Sequence, residues 1–242
     1  MEQVWRYATS ADLTDATAER LMRHLVGLQA TQDEPVRLCL TGGRIANRIY
    51  EVFADLADDF GLDQARVEIW WGDERFVPTE DPTRHAGHTL AILARKLPMI
   101  ASMTHPMPAA DGIADSDASA AAYAKELGDT VFDVTLLGMG VDGHVASIFP
   151  DHPSFALQGH SVIGVNDAPL GPPSRISLTV ETLNRSREVW YLVAGEEKAV
   201  AVEASVAGDP AIPAGVVRGR DATLWLVDRA AAGLLPYHSC SF

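Results

Sequence analysis

Five short runs rich in β-branched, aromatic and leucine side chains punctuate the chain: "VRLCLT" (36–41), "RVEIWW" (66–71), "VFDVTLLG" (131–138), "EVWYLVAG" (188–195) and "TLWLVD" (223–228). A strand with one wet face alternates apolar and polar residues. Near-continuous apolarity predicts strands buried on both faces. Between the runs the period becomes helical. "SADLTDATAERLMRHLVGLQA" opens at a Ser10/Asp12 cap, and "GRIANRIYEVFADLADDFG" stops at Gly61. "RHAGHTLAILARKLP" ends before Pro98 and "SDASAAAYAKELG" ends at Gly128. Strands alternating with helices predict an α/β fold, a largely parallel sheet with helices on both faces, in one domain over 1–242. The Pro- and Gly-rich stretch 151–174 reads as a long surface excursion.

Charge narrows the partners. The 242 residues carry 19 basic and 33 acidic side chains, a formal charge of −14, which argues against a nucleic-acid or anionic-membrane surface. An anionic small molecule would need positive groups gathered locally. Of the two cysteines, Cys39 lies in an apolar run and Cys240 near the C-terminus, so no disulfide framework is suggested and a cytoplasmic location is expected. The N-terminal stretch has no basic region followed by an apolar one, and no apolar run approaches the ~20 residues of a membrane span. A monomer or weak homodimer is expected.

Ligands of such sheets bind beyond the carboxyl ends of the strands. Four polar clusters fall there: "TGGR" (Thr41, Gly42, Gly43, Arg44), "GDER" (Asp73, Arg75), "GMGVDGH" (Gly140, Asp142, Gly143, His144) and "GEEK" (Lys198). The glycines of the first allow close backbone approach, and the N–H groups of the following helix attract anions; a plain tight turn is the bland alternative. Arg75 either clamps a phosphate through its planar fork, oriented by Asp73, or simply pairs with a neighbouring carboxylate. Lys198 begins a helix whose Val200, Ala201 and Ala204 are expected to pack inward. There it serves as a phosphate counter-charge or is solvated.

"GMGVDGHVASIFP" contains G-x-G-x-x-G, the spacing of a dinucleotide fingerprint. That motif needs a long helix after its glycines, whereas Pro150 and Pro153 leave room for about two turns. The glycines instead predict a sharp turn carrying Asp142 and His144 to the site, with His144 a general base near neutral pH. Ser147 is expected to cap or pack within the short helix. His85-x-x-His88 lacks a third ligand, so no metal is expected. Asp133, at the start of its strand, is expected to make structural hydrogen bonds. Arg175, in the lip "PPSRISLT", faces either the pocket or solvent.

In combination, "TGG", "GDERFVP", "DVTLLGMGVDGHVASIFP", "SRISLTVETLN" and "LVAGEEKAVAV" resemble the 6-phosphogluconolactonases over nearly the whole chain. The resemblance implies a Rossmann-like sandwich shared with glucosamine-6-phosphate deaminases and ribose-5-phosphate isomerases. It implies hydrolysis of 6-phospho-D-glucono-1,5-lactone without metal or cofactor, the second step of the pentose phosphate pathway. It makes His144 the base and Gly42–Gly43, Arg75 and Lys198 the phosphate ligands. Asp142 or Asp73 would orient His144 or water, and backbone N–H groups of 138–144 would face the oxyanion. Two departures stand out: Arg44-Ile45-Ala46 replaces a hydroxyl-rich segment, and Arg84-His85 stands where an asparagine is common.

Two rivals differ in chemistry. Deaminases of this fold resemble "DGH-I-A-F-N-E-P", with a glutamate assisting ring opening where this chain has Phe149. A non-catalytic sugar-phosphate sensor would add a DNA-binding helix-turn-helix. An acidic chain whose first strand is expected near residue 36 leaves no room for one.

Overall fold

The computed structural model describes residues 1–156 and 158–236; Cys240 lies outside the described residues. Each of the five apolar runs forms a strand: β2 (Val36–Leu40), β3 (Val67–Trp71), β6 (Val134–Leu137), β9 (Glu188–Val193) and β10 (Ala222–Asp228). Two further strands, β1 (Glu2–Tyr7) and β5 (Thr104–His105), complete a seven-stranded sheet in the order β1-β10-β9-β6-β2-β3-β5. Every pairing in it is parallel. The first strand therefore comes at residue 2, well before the expected residue 36. "EQVWRY" mixes charged and apolar residues because β1 is an edge strand, with Val4 and Trp5 exposed.

Alternate residues of the central strands feed two separate cores. Leu38, Leu40, Ile69, Trp71, Trp190, Leu192, Leu224 and Leu226 pack with α1 (Ser10–Gln29), α2 (Arg44–Phe60) and α3 (His85–Leu93). Cys39, Trp70, Val189, Tyr191, Val193, Trp225 and Val227 pack on the other face with α4 (Ser116–Leu127) and with residues 201–214. A period of two with both parities apolar is what a sheet covered on both sides requires. Asp133 holds the entry to β6: its Oδ2 accepts from Arg37 N–H at 2.8 Å.

The helix limits differ slightly from the sequence reading. The cap of α1 is Thr9, whose Oγ1 accepts from Asp12 N–H at 3.1 Å. Gly61, with φ of 69°, ends α2 in the left-handed conformation that glycine favours.

The 151–174 stretch is more ordered than an excursion. It contains α5 (Pro153–Ala156) and β7 (Val162–Val165), and β7 pairs with β8 (Arg175–Leu178). Strand β8 in turn pairs antiparallel with β4 (Asp73–Arg75), giving a second, three-stranded sheet. Ile163 and Val165 of β7 join Ile148 and Phe149 in a small third core, while Val162, Ile176 and Leu178 pack into the second core. The chain then runs through α6 (Val180–Leu183), α7 (Ala199–Val206) and α8 (Pro213–Val216). Among the described residues no helix is long and apolar enough to cross a membrane.

Candidate active site

Beyond β2 the chain turns through Thr41, Gly42 and Gly43 into α2. Gly43 has φ of 109° and caps α2 without a side-chain bond, so the first N–H groups of the helix face outward. Thr41 is pinned from behind: its N–H donates to Tyr50 Oη at 3.1 Å, and that hydroxyl donates to Thr41 O at 2.8 Å. Gly42 has no room for a side chain, because a Cβ there would lie 2.0 Å from the His85 ring. A cleft of about 410 Å³ opens at this turn, bordered also by Arg44, Gly138, Glu197, Lys198 and Asp228.

Lys198 reaches the cleft from a single 3₁₀ turn, Glu196–Lys198, ahead of α7. Its Nζ donates to Met139 O at 2.6 Å. Burial pushes its pKa down, Glu197 opposes the shift, and Arg44 adds to it. The inward face of α7 is Ala201, Val202 and Ser205, whereas Val200 is exposed. The expected face was therefore rotated, because one 3₁₀ turn precedes the α-helix and changes the phase.

The turn after β6 is closed by its own backbone: Gly140 N–H donates to His144 O at 2.9 Å, and Gly143 N–H to Gly140 O at 3.2 Å. Gly143 has φ of 81°, and a Cβ on Gly140 would lie 2.0 Å from His144 Nδ1. The expected short helix is absent. Ala146, with φ of 49°, breaks it, and Val145 bridges to Ile148 instead.

His144 Nδ1 lies 2.6 Å from Asp142 Oδ1, and the same oxygen accepts from His144 N–H at 3.2 Å. A carboxylate at Nδ1 favours the tautomer with its proton there, leaving the Nε2 lone pair free. The imidazole is 19% exposed, enough to meet a small molecule. Its other neighbour is the buried phenyl ring of Phe149, at 4.7 Å between centroids.

Asp73 does not contact His144. It is buried and accepts from Ser147 Oγ at 2.7 Å, so Ser147 holds the frame rather than a helix. Glu74 is also buried and accepts from the N–H groups of Arg75, His85 and Ala86, each at 2.8 Å, capping α3 from outside it. Arg75 is not among the residues bordering the cleft. It pairs across strands with Arg175, and its Nη1 donates to Thr83 O at 2.7 Å. Arg175 is buried over Phe149, its guanidinium donating to the carbonyls of Leu170, Gly171 and Pro172. Arg84 donates to Met107 O at 2.8 Å, and the His85 ring covers Gly42. His88 Nε2 meets Pro82 O at 2.6 Å, so His85 and His88 do not converge on a metal-like centre.

Three polar residues of the cleft had no role there in the sequence reading: Ser10, Glu197 and Asp228. Asp228 ends β10, so the strand-end rule that found the other clusters pointed to it too. Its Oδ1 accepts from the N–H groups of Gly195 and Ala231, fixing the loop that presents Lys198.

A carboxylate-oriented histidine lies on the turn whose first residue, Gly138, borders the Lys198 cleft at the carboxyl edge of the parallel sheet; His144 itself, like Arg75, is not among the residues bordering that cleft. A family model described as Glucosamine-6-phosphate isomerases/6-phosphogluconolactonase matches residues 8–225. The chain is 43% identical to the 6-phosphogluconolactonase of Streptomyces coelicolor, over 93% of this chain and 91% of that one. The crystal structure of a 6-phosphogluconolactonase from Thermotoga maritima matches with a TM-score of 0.81 and 25% identity, over 94% of this chain and 100% of the other. A monomeric glucosamine-6-phosphate deaminase shares the fold, with a TM-score of 0.79 and 22% identity over 96% and 99% of the two chains. The protein belongs to the glucosamine-6-phosphate isomerase/6-phosphogluconolactonase family.

Proposed function

We propose that the protein hydrolyses 6-phospho-D-glucono-1,5-lactone to 6-phosphogluconate, the second step of the oxidative pentose phosphate pathway. The observation that carries this reading is the Asp142–His144 pair, held on a turn whose other end, Gly138, borders the Lys198 cleft. The substrate's phosphate lies in that cleft, against the Gly42–Gly43 turn, the N-terminus of α2 and the ammonium of Lys198. Its lactone carbonyl faces His144.

Nε2 takes a proton from water as the oxygen attacks C1. The tetrahedral intermediate collapses with cleavage of the bond to the ring oxygen, and the imidazolium protonates that oxygen. The acid product ionises in neutral water. Asp142 holds the tautomer and stabilises the transient imidazolium. The N–H groups of Gly140, Gly143 and His144 are engaged within the turn, so of the 138–144 segment the oxyanion would draw on the remaining N–H groups. Holding the phosphate at one end orients the reacting carbon at the other.

Phe149 favours this chemistry over deamination. The ring beside His144 has no proton to give or take, whereas opening a sugar ring needs an acid–base group there. A cytoplasmic location belongs to the same proposal, supported by sparse cysteine usage and a buried, unpaired Cys39. The direct test is hydrolysis of freshly prepared lactone with the spontaneous rate subtracted, run beside an ammonia-release assay on glucosamine 6-phosphate. Lactone turnover with no ammonia is expected. Ammonia release at a comparable rate would overturn the reading of Phe149.

A further inference from the structure

An ammonium has three N–H donors. Lys198 uses one on Met139 O, at 2.6 Å. Met139 lies between Gly138 and Gly140, at the start of the turn that ends in His144. Its side chain is buried, and Ser205 Oγ of α7 lies 3.6 Å from its Sδ. The segment 198–205 therefore grips Met139 at both backbone and side chain. The far end of the turn is held by Ala214 N–H, which donates to Gly143 O at 3.0 Å, and by Ile212 packed on Gly143. The remaining donors of Lys198 belong to the cleft it shares with Gly42, Gly43 and Arg44.

We propose that Lys198 is a positioning residue for His144 as well as a phosphate counter-charge, so that an anion in the cleft is sensed at the imidazole. The inference rests on the phosphate reading of the cleft. One cation joins the two ends of the site. A dianion drawing on its free donors shifts the ammonium, and the Met139 carbonyl, bonded to that ammonium, shifts with it. The turn closed by Gly140 N–H on His144 O passes the displacement to His144. The phosphate then sets the base as well as the substrate, and a lactone lacking phosphate loses turnover in addition to affinity.

The test is ¹H–¹⁵N NMR of the imidazoles at fixed pH, with the His144 signals assigned from His144→Gln and inorganic phosphate as the probe. In the wild type, phosphate is expected to move the His144 signals saturably. In Lys198→Met those signals are displaced before any phosphate is added and move no further with it. Arg44→Ala removes a neighbouring cation without touching Met139, leaves the phosphate-free signals in place, and still gives the full shift at saturation. Phosphate-free Lys198→Met signals at wild-type positions would overturn the proposal. If Lys198→Met does not fold, the wild-type titration decides alone: saturation without movement of His144 overturns it. A protein inactive on the lactone whose His144 still responds to phosphate would sink the lactonase reading and leave this coupling standing.

Discussion

Two polar clusters sit side by side at the carboxyl edge of the parallel sheet, and they treat charge in opposite ways. In the cleft, the N-terminus of α2 has no capping side chain, Arg44 is exposed, and Lys198 spends one donor on a carbonyl. Next to it, Asp73 and Glu74 are buried and their oxygens are filled from within the chain by Ser147, Arg75, His85 and Ala86. The first cluster, beside its own Glu197 and Asp228, leaves cationic and N–H donors open to a ligand; in the second the carboxylates are met from within the chain. The motifs "GEEK" and "GDER" look equally catalytic as strings. The location of the hydrogen-bond partner, in the chain or in a ligand, separates a group that binds from a group that frames.

The largest effect expected from this contrast is at His144. His144→Gln keeps a similar volume but cannot serve as the base, and turnover should fall about 10²–10⁴-fold, the usual worth of a positioned general base. Affinity for 6-phosphogluconate, measured by calorimetry, should stay close to wild type. Turnover of the variant within a few-fold of wild type would remove the imidazole from the reaction.

Glu74→Gln probes the framing cluster and should give the opposite pattern. The amide presents one acceptor oxygen where the carboxylate presents two, and its NH₂ must face an N–H group. A loss of roughly 2–3 kcal/mol is expected from weakened hydrogen bonds to a charged group. It should appear as a lower denaturation midpoint, with turnover per folded molecule little changed. A large loss of turnover at unchanged stability would move Glu74 from the frame into the chemistry.

The main sheet was legible in the sequence because burial on both faces writes a long apolar run, and all five central strands carry one. The small sheet was not. Strand β4 is three residues long and all of them are charged, and β8 begins with the arginine of a proline-rich lip. Their pairing joins segments a hundred residues apart, and nothing local signals that. At the site, the turn glycines and His144 were readable because a sharp turn needs small residues and a base needs imidazole. The choice of Asp142 over Asp73 as the partner of His144 was not readable. Both carboxylates stand in polar motifs after strands, and only the contact of Asp73 with Ser147 tells them apart.

Lys198 gives a pH test of the contrast. Burial holds its pKa below the ordinary lysine value of 10.5. The charged form binds a dianion, so affinity for 6-phosphogluconate should fall as pH rises, beginning below 10.5. The stability term has the opposite sign. A lysine whose folded pKa is depressed contributes stability that grows as pH rises and is lost as pH falls through that pKa. Lys198→Ala should abolish the alkaline fall in affinity while weakening binding about 10–100-fold at neutral pH, the range for a hydrogen bond to a charged group. Calorimetry with the stable product avoids the alkaline hydrolysis of the lactone. Constant wild-type affinity up to pH 10.5 would mean that Lys198 does not meet the anion.

Arg44 should give the smallest effect, and the most salt-sensitive. It stands at the first residue of α2, and it is exposed. Exposed ion pairs are worth about 0.2–1 kcal/mol, so Arg44→Ala should weaken 6-phosphogluconate binding only about 2–5-fold at low salt. Salt should erase that difference, because exposed charges are screened over about 8 Å at physiological ionic strength. The Lys198 contribution, on a half-buried ammonium, should persist at the same salt. If the two cations respond alike to salt, Arg44 is no longer a weak surface supplement and makes direct contact with the phosphate.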